Sequence, residues 1–92
     1  MKHYNIRITG RVQGVWYRDS ARSKARELGI TGFVRNDPDG SVYIEAEGGE
    51  GELKKLVEWC WEGPPRAKVE SVDVEEGEVK DFTEFEISRS FF

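Results

Sequence analysis

The hydrophobic residues of this chain repeat with a period of about 2, then about 3.6, then about 2 again, and the alternation occurs twice. Nothing else in the sequence restricts the fold as strongly. Tyr4, Ile6 and Ile8 alternate with Asn5, Arg7 and Thr9 until Gly10, the signature of a strand with one buried face. From Tyr17 the spacing lengthens. Tyr17, Ala21, Ala25 and Leu28 fall on one helical face, and Gly29 supplies a C-terminal stop. "ITGFVRN" returns to strand character through Ile30, Phe33 and Val34. In the turn "DPDG", Pro38 fixes one φ and Gly40 admits another. Beyond it Val42, Ile44 and Ala46 alternate with Tyr43, Glu45 and Glu47, which makes a hairpin.

"EGGEGE" interrupts that run, and Leu53, Leu56, Val57 and Cys60 follow at helical spacing until "GPP" at 63–65 stops the helix. A fourth strand is expected over about Val69 to Glu75. Val69 and Val72 differ in parity, so it contains a bulge or an irregular start. "FTEFEI" reads as a short last strand at an edge. The order is βαββαβ plus that edge strand. Right-handed crossovers and the need of each helix for apolar cover lead to an α+β class fold. It is a ferredoxin-like α/β sandwich, an antiparallel sheet with two helices on one face and a short extra edge strand. The 92 residues are expected to form a single domain, 1–92, with one core.

In that topology the first two strands are parallel and separated by the third. Their C-terminal ends bring together the loop "GRVQGVWYR", the start of the first helix and Asn36. A helix N-terminus offers unpaired amides and a partial positive charge. Gly10 and Gly14 permit positive φ, so successive amides can turn inward as a nest. Arg18 lies in the first helical turn, where its planar fork suits phosphate oxygens. Arg22 and Arg26 continue at i+4 spacing as a solvated face contributing to the local field. A tetrahedral anion fits such a cradle. The Gly-Lys-Ser/Thr ending of a Walker loop is absent.

Three segments, "GRVQGVWYR", "GFVRNDPDGSV" and "EGPPRAKVESV", resemble in order and spacing the blocks of the acylphosphatase family, and the likeness covers nearly the whole chain. The resemblance implies a hydrolase for carboxyl–phosphate anhydrides. It implies that Arg18 binds the phosphoryl group with the amides of about Val12, Gln13, Gly14, Val15, Trp16 and Tyr17. Asn36 would orient the attacking water, with Arg18 and Asn36 the catalytic pair. Gly14 would permit the loop geometry, while Arg11 and the Gln13 side chain need not touch substrate. Phosphoryl transfer demands mainly positioning and charge stabilisation. A departing carboxylate needs no general acid, so the expected reaction is metal-free with no cofactor. Asp37, next to Asn36, is expected to point outward and begin the turn through its side chain.

Composition narrows the alternatives. With 14 Lys and Arg against 18 Asp and Glu, the net charge of −4 argues against broad nucleic-acid binding. The first strand presents Asn5, Arg7 and Thr9 outward, with no aromatic for base stacking. No run is long enough to span a membrane, and the N-terminus has no signal-peptide core. The single cysteine, Cys60, reads as a core residue and fits a reducing cytoplasm. Trp59 and Trp61 are expected to pack beside a helix end, and His3 to lie on the surface. Scattered acidic residues show no metal-ligand spacing. No pattern places Phe91 and Phe92. The partners that the resemblance implies are an acyl phosphate and inorganic phosphate, with a monomer sufficient. A noncatalytic anion-binding module of the same fold is the alternative. Similar domains also begin large carbamoyl-transferring maturation proteins, but a chain ending at Phe92 without a linker is expected to be the free enzyme.

Overall fold

A computed structural model describes residues 1–89; Phe91 and Phe92 lie outside the described residues. The elements are β1 (Lys2–Arg11), α1 (Tyr17–Glu27), β2 (Thr31–Asn36), β3 (Val42–Gly48), α2 (Glu50–Glu62), β4 (Lys68–Gly77) and β5 (Phe85–Ile87). The sheet order is β4-β1-β3-β2-β5. β1 and β2 are both antiparallel to β3, which lies between them, as the ferredoxin-like reading requires.

Register explains the core. Ile6 faces Ile44 and Ile8 faces Val42 across β1 and β3, while Val34 faces Ile44 across β2 and β3. All five are fully buried, and they join Ala21 and Ala25 of α1 with Leu53, Leu56 and Cys60 of α2 in one cluster. The two alanines let α1 lie close to the sheet, while α2 fills its side with leucines. Truncating Leu53 or Leu56 to alanine should cost about 2–5 kcal/mol.

The parity break in β4 is a bulge. Thr9 pairs with Ser71 but Gly10 with Val69, so Glu70 is the extra residue. Gly10 sits at φ 119°, and a Cβ there would lie 2.2 Å from the Lys68 carbonyl oxygen. Only glycine fits, and past the bulge β1 stays paired with β4 through Arg11 and Lys68 before the following loop begins.

Two expectations need correction. β5 pairs parallel to β2, with Ile87 beside Val34, so the sheet is mixed rather than wholly antiparallel. The path of residues 78–84 is the cause. β4 and β5 occupy opposite edges, so this segment crosses the open face near the start of β1 and the end of β3. There the Lys80 and Phe82 amides donate to Glu47, and Lys80 Nζ lies 2.8 Å from Glu45 Oε1. Phe82 stacks near His3 and meets Phe33 edge-on. A crossing at that end leaves β5 to run in the same direction as β2.

The second correction is His3, which is 1% exposed. Its Nδ1 lies 2.7 Å from Glu47 Oε2 and its Nε2 2.8 Å from Asn5 Oδ1. Strand parity does put His3 on the polar face with Asn5 and Arg7, but the 78–84 strap covers that end. Burial pushes the Glu47 carboxyl up; the Lys80 amide, His3 and the Phe82 amide outweigh it and hold the group below its ordinary range.

Candidate active site

The loop between β1 and α1 alternates anchors with turns. Val12, Val15 and Tyr17 are buried. Gly14 and Trp16 adopt left-handed conformations, at φ 73° and 68°. Trp16 is also the residue capping α1, without a side-chain hydrogen bond at the cap. The Tyr17 hydroxyl donates to the Cys60 carbonyl at 2.7 Å, and its ring lies 5.2 Å from that of Trp59. The start of α1 is thereby fixed to the end of α2. Burial, with the Cys60 contact added, pushes the Tyr17 hydroxyl far above its usual range, so it is no acid or base. Cys60 is a core residue as expected, its thiol pushed up to about 12 by burial. Trp59 packs as anticipated, whereas Trp61 is 51% exposed.

Gln13 has a structural task. Its Nε2 donates to the carbonyls of Asp37 and Ser41, at 2.8 and 2.9 Å. The side chain clamps the loop to the β2–β3 turn, immediately after Asn36. Among the described residues, no backbone hydrogen bond is donated by the amides of Val12 to Asp19. The first at the helix start is Ser20 N–H to the Trp16 carbonyl, at 3.1 Å. The amides of Val12 to Asp19 are thus left unpaired by the backbone at the end of the helix where the dipole is positive.

A cavity of about 330 Å³ opens at this point. Val12, Gly14, Trp16, Tyr17, Arg18 and Asn36 line it, so the structure gathers most of the expected site residues around one space. Val15 supports the loop from the core, and the Gln13 side chain is held by the turn. Arg18 Nη1, Asn36 Oδ1 and Thr31 Oγ1 are buried without a hydrogen-bond partner among the described residues, and the first two belong to residues that line this cavity. Such atoms are costly unless something else completes them. Of the two at the cavity, one is a cationic donor suited to an anion's oxygen. The other is an acceptor suited to the proton of a water.

The flanking charges differ from expectation. Asp37 is absent from the cavity lining, and the turn starts there through its backbone, with Gly40 N–H donating to the Asp37 carbonyl. The side chain that braces the turn is that of Asp39, whose Oδ1 accepts from the Ser41 amide and hydroxyl at 2.9 and 2.6 Å. Asp37 instead accepts from Arg7 and Arg35 at 2.8 and 2.7 Å. Burial pushes its carboxyl up, and the two guanidinium groups more than reverse this, leaving it low and ionised. Arg22 lies 3.3 Å from Asp19, while Arg26 Nε donates to the Phe85 carbonyl. Arg26 thus ties α1 to β5 rather than serving a purely solvated face. Sequence reasoning missed Asp19, Ile87 and Arg89, which also line the cavity. Asp19 was adjacent in sequence and detectable; the other two arrive only because β5 is parallel to β2.

A helix start whose amides donate no backbone hydrogen bond, a guanidinium nitrogen and an amide oxygen, both without a partner among the described residues, meet at one cavity of a small ferredoxin-like sandwich. The family model described as Acylphosphatase matches residues 4–87, and the chain belongs to the acylphosphatase family. An acylphosphatase of Methylococcus capsulatus is 52% identical over 90 residues, covering 97% of this chain and 98% of that protein. The crystal structure of acylphosphatase from Bacillus subtilis superposes with a TM-score of 0.94 at 37% identity, over 96% of this chain and 99% of the other. The acylphosphatase structure from Coxiella burnetii gives 0.92 at 41% identity, over 95% and 92%. None of the described helices is long and apolar enough to cross a membrane.

Proposed function

We propose that this chain hydrolyses the carboxyl–phosphate bond of acyl phosphates to a carboxylate and inorganic phosphate, with Arg18 and Asn36 in the two central roles. The observation that carries the assignment is the pair of buried atoms without a partner among the described residues, Arg18 Nη1 and Asn36 Oδ1, on two residues that line one cavity. The phosphoryl oxygens bind Arg18 and the free amides of Val12 to Tyr17. Asn36 accepts a hydrogen bond from the attacking water and sets its direction. The water oxygen forms the new P–O bond while the carboxylate leaves with the electrons of the old one. The released proton ends on the phosphate product or in solvent.

This short list of groups suits the leaving group. A carboxylate is a weak base and departs without protonation or a Lewis acid, so the reaction is proposed to be metal-free. Charge stabilisation by preorganised donors carries most of the work. A monomer in a reducing cytoplasm meets these needs, with the free Cys60 sealed in the core.

The test is benzoyl phosphate hydrolysis, with EDTA present, by wild type, Arg18→Gln and Asn36→Ala, each first shown to be folded by circular dichroism. Both variants should lose about 10²–10³-fold in kcat, the usual cost of a lost transition-state donor. Full activity in either folded variant removes that residue from the mechanism. A folded wild type that binds phosphate without turnover makes the site a noncatalytic anion receptor.

A further inference from the structure

The cavity lining contains a second cationic side chain, Arg89, besides Arg18. β5 runs parallel to β2 with Phe85, Glu86 and Ile87 beside Gly32, Phe33 and Val34. The Ser88 amide continues the pairing by donating to the Val34 carbonyl at 2.8 Å. Carried two residues past Ile87, this register sets Arg89 abreast of Asn36. Side chains alternate along a strand, so Ile87 and Arg89 share the face on which Val34 and Asn36 lie. The cavity lining is consistent with this: it includes Asn36, Ile87 and Arg89 but omits Ser88, while Ile87 and Ser88 both border a neighbouring depression with Phe33 and Phe82.

The charges around the cavity are unequal. Arg18 and Arg89 both lack an ion-pair partner among the described residues, whereas the one acidic residue of the lining, Asp19, lies 3.3 Å from Arg22. Arg18 emerges from the helix start together with the free amides. Arg89 enters from the β5 side, beyond Asn36. Trp16, 74% exposed, and Ile87 add apolar surface to the same lining. A volume of about 330 Å³ is several times that of a phosphate group, so space remains for the acyl portion.

We infer that Arg89 is a specificity-determining residue that favours acyl phosphates whose acyl group carries an anionic group of its own, such as the monophosphate of a dicarboxylic acid. The inference rests on the acyl phosphatase reading of the same site. The phosphoryl group occupies the amide cradle at Arg18, the short carbon chain lies along Trp16 and Ile87, and the distal carboxylate meets the Arg89 guanidinium.

The experiment compares succinyl phosphate with acetyl phosphate in wild type, Arg89→Gln and Arg89→Lys, reading the ratio of their kcat/KM values. Effects common to both substrates, including any change in stability or in the cradle, cancel in that ratio. In Arg89→Gln the ratio should fall about two- to fivefold, the upper part of the range for a solvent-accessible charge pair. The loss should appear in KM for succinyl phosphate. Arg89→Lys should recover much of it. In wild type the ratio should decline with added salt, because the pair is open to solvent. An unchanged ratio in folded Arg89→Gln, or a wild-type ratio insensitive to salt, overturns the assignment. Absence of acetyl phosphate turnover by wild type would instead defeat the underlying hydrolase reading.

Discussion

Gln13 offers a sharp test of how the cradle is held. Its Nε2 donates to two carbonyls in the turn after Asn36, those of Asp37 and Ser41. Both carbonyls keep a second partner if the side chain is cut back: Gly40 N–H still reaches Asp37, and Asp37 N–H still reaches Ser41. No orphaned acceptor is created, so Gln13→Ala should cost only the net value of two hydrogen bonds, about 1–2 kcal/mol. For a domain of this size that is a fall in Tm of roughly 5–15 °C. Gln13→Glu is close in shape yet opposite in consequence. A carboxylate would face two carbonyl oxygens at hydrogen-bond distance, so it should destabilise more than alanine at neutral pH. Its carboxyl is then raised in the folded state, and the deficit relative to wild type should shrink as pH falls through that raised value. Loosening the loop also displaces the cradle relative to Asn36, and kcat should fall about 10–100-fold with less change in phosphate inhibition. Denaturant unfolding at two pH values and steady-state kinetics read all of this. A Gln13→Glu protein as stable and active as wild type at pH 7 would refute the clamp.

Other outcomes follow from the same geometry. Glu47→Gln puts an amide nitrogen among the donors from His3, Lys80 and Phe82. It should cost about 1–3 kcal/mol in denaturant unfolding while kcat/KM for benzoyl phosphate stays near wild type, since the strap lies at the far end of the sheet. The lowered Glu47 carboxyl stabilises the fold fully above its ordinary value of 4.5 and loses that contribution as pH falls through the lowered one. The acid limb of a stability profile should therefore be shallower in the variant. Gly14→Ala has open space for its methyl group but keeps φ 73°, so it should lose about 1–2 kcal/mol from backbone strain alone. Weakened protection by phosphate in a thermal melt would show that the nest matters as well. Cys60, with its thiol pushed up to about 12 inside the core, should resist thiol reagents at pH 8 until the protein unfolds; fast reaction of the native protein would contradict that burial.

The elements were legible because each buries one face, and a one-faced element leaves its period in the sequence. Even the bulge at Glu70 was visible, since Val69 and Val72 cannot share a face on a regular strand. His3, Glu45 and Glu47 were not legible. Their parity places them on the polar side, and they are buried only because residues 78–84 return across it. The direction of β5 was hidden for the same reason: "FTEFEI" shows a strand but not the end of the sheet at which the chain crosses. Within the site, Arg18 and Gly14 stood in a contiguous motif. Asn36 required the topology, and Ile87 and Arg89 required the path of the last crossing.

That crossing has a consequence for insertions and deletions. The side of the sheet to which each C-terminal residue points depends on whether the strap has an even or odd number of residues before the strand pairs. Removing one residue between Gly77 and Phe85, with pairing to β2 shifted to match, would turn Ser88 toward the cavity and Arg89 away from it. A two-residue change would restore the alternation. Chain length at one end of this sheet can thus alter the chemistry presented at the other, without replacing a single side chain there.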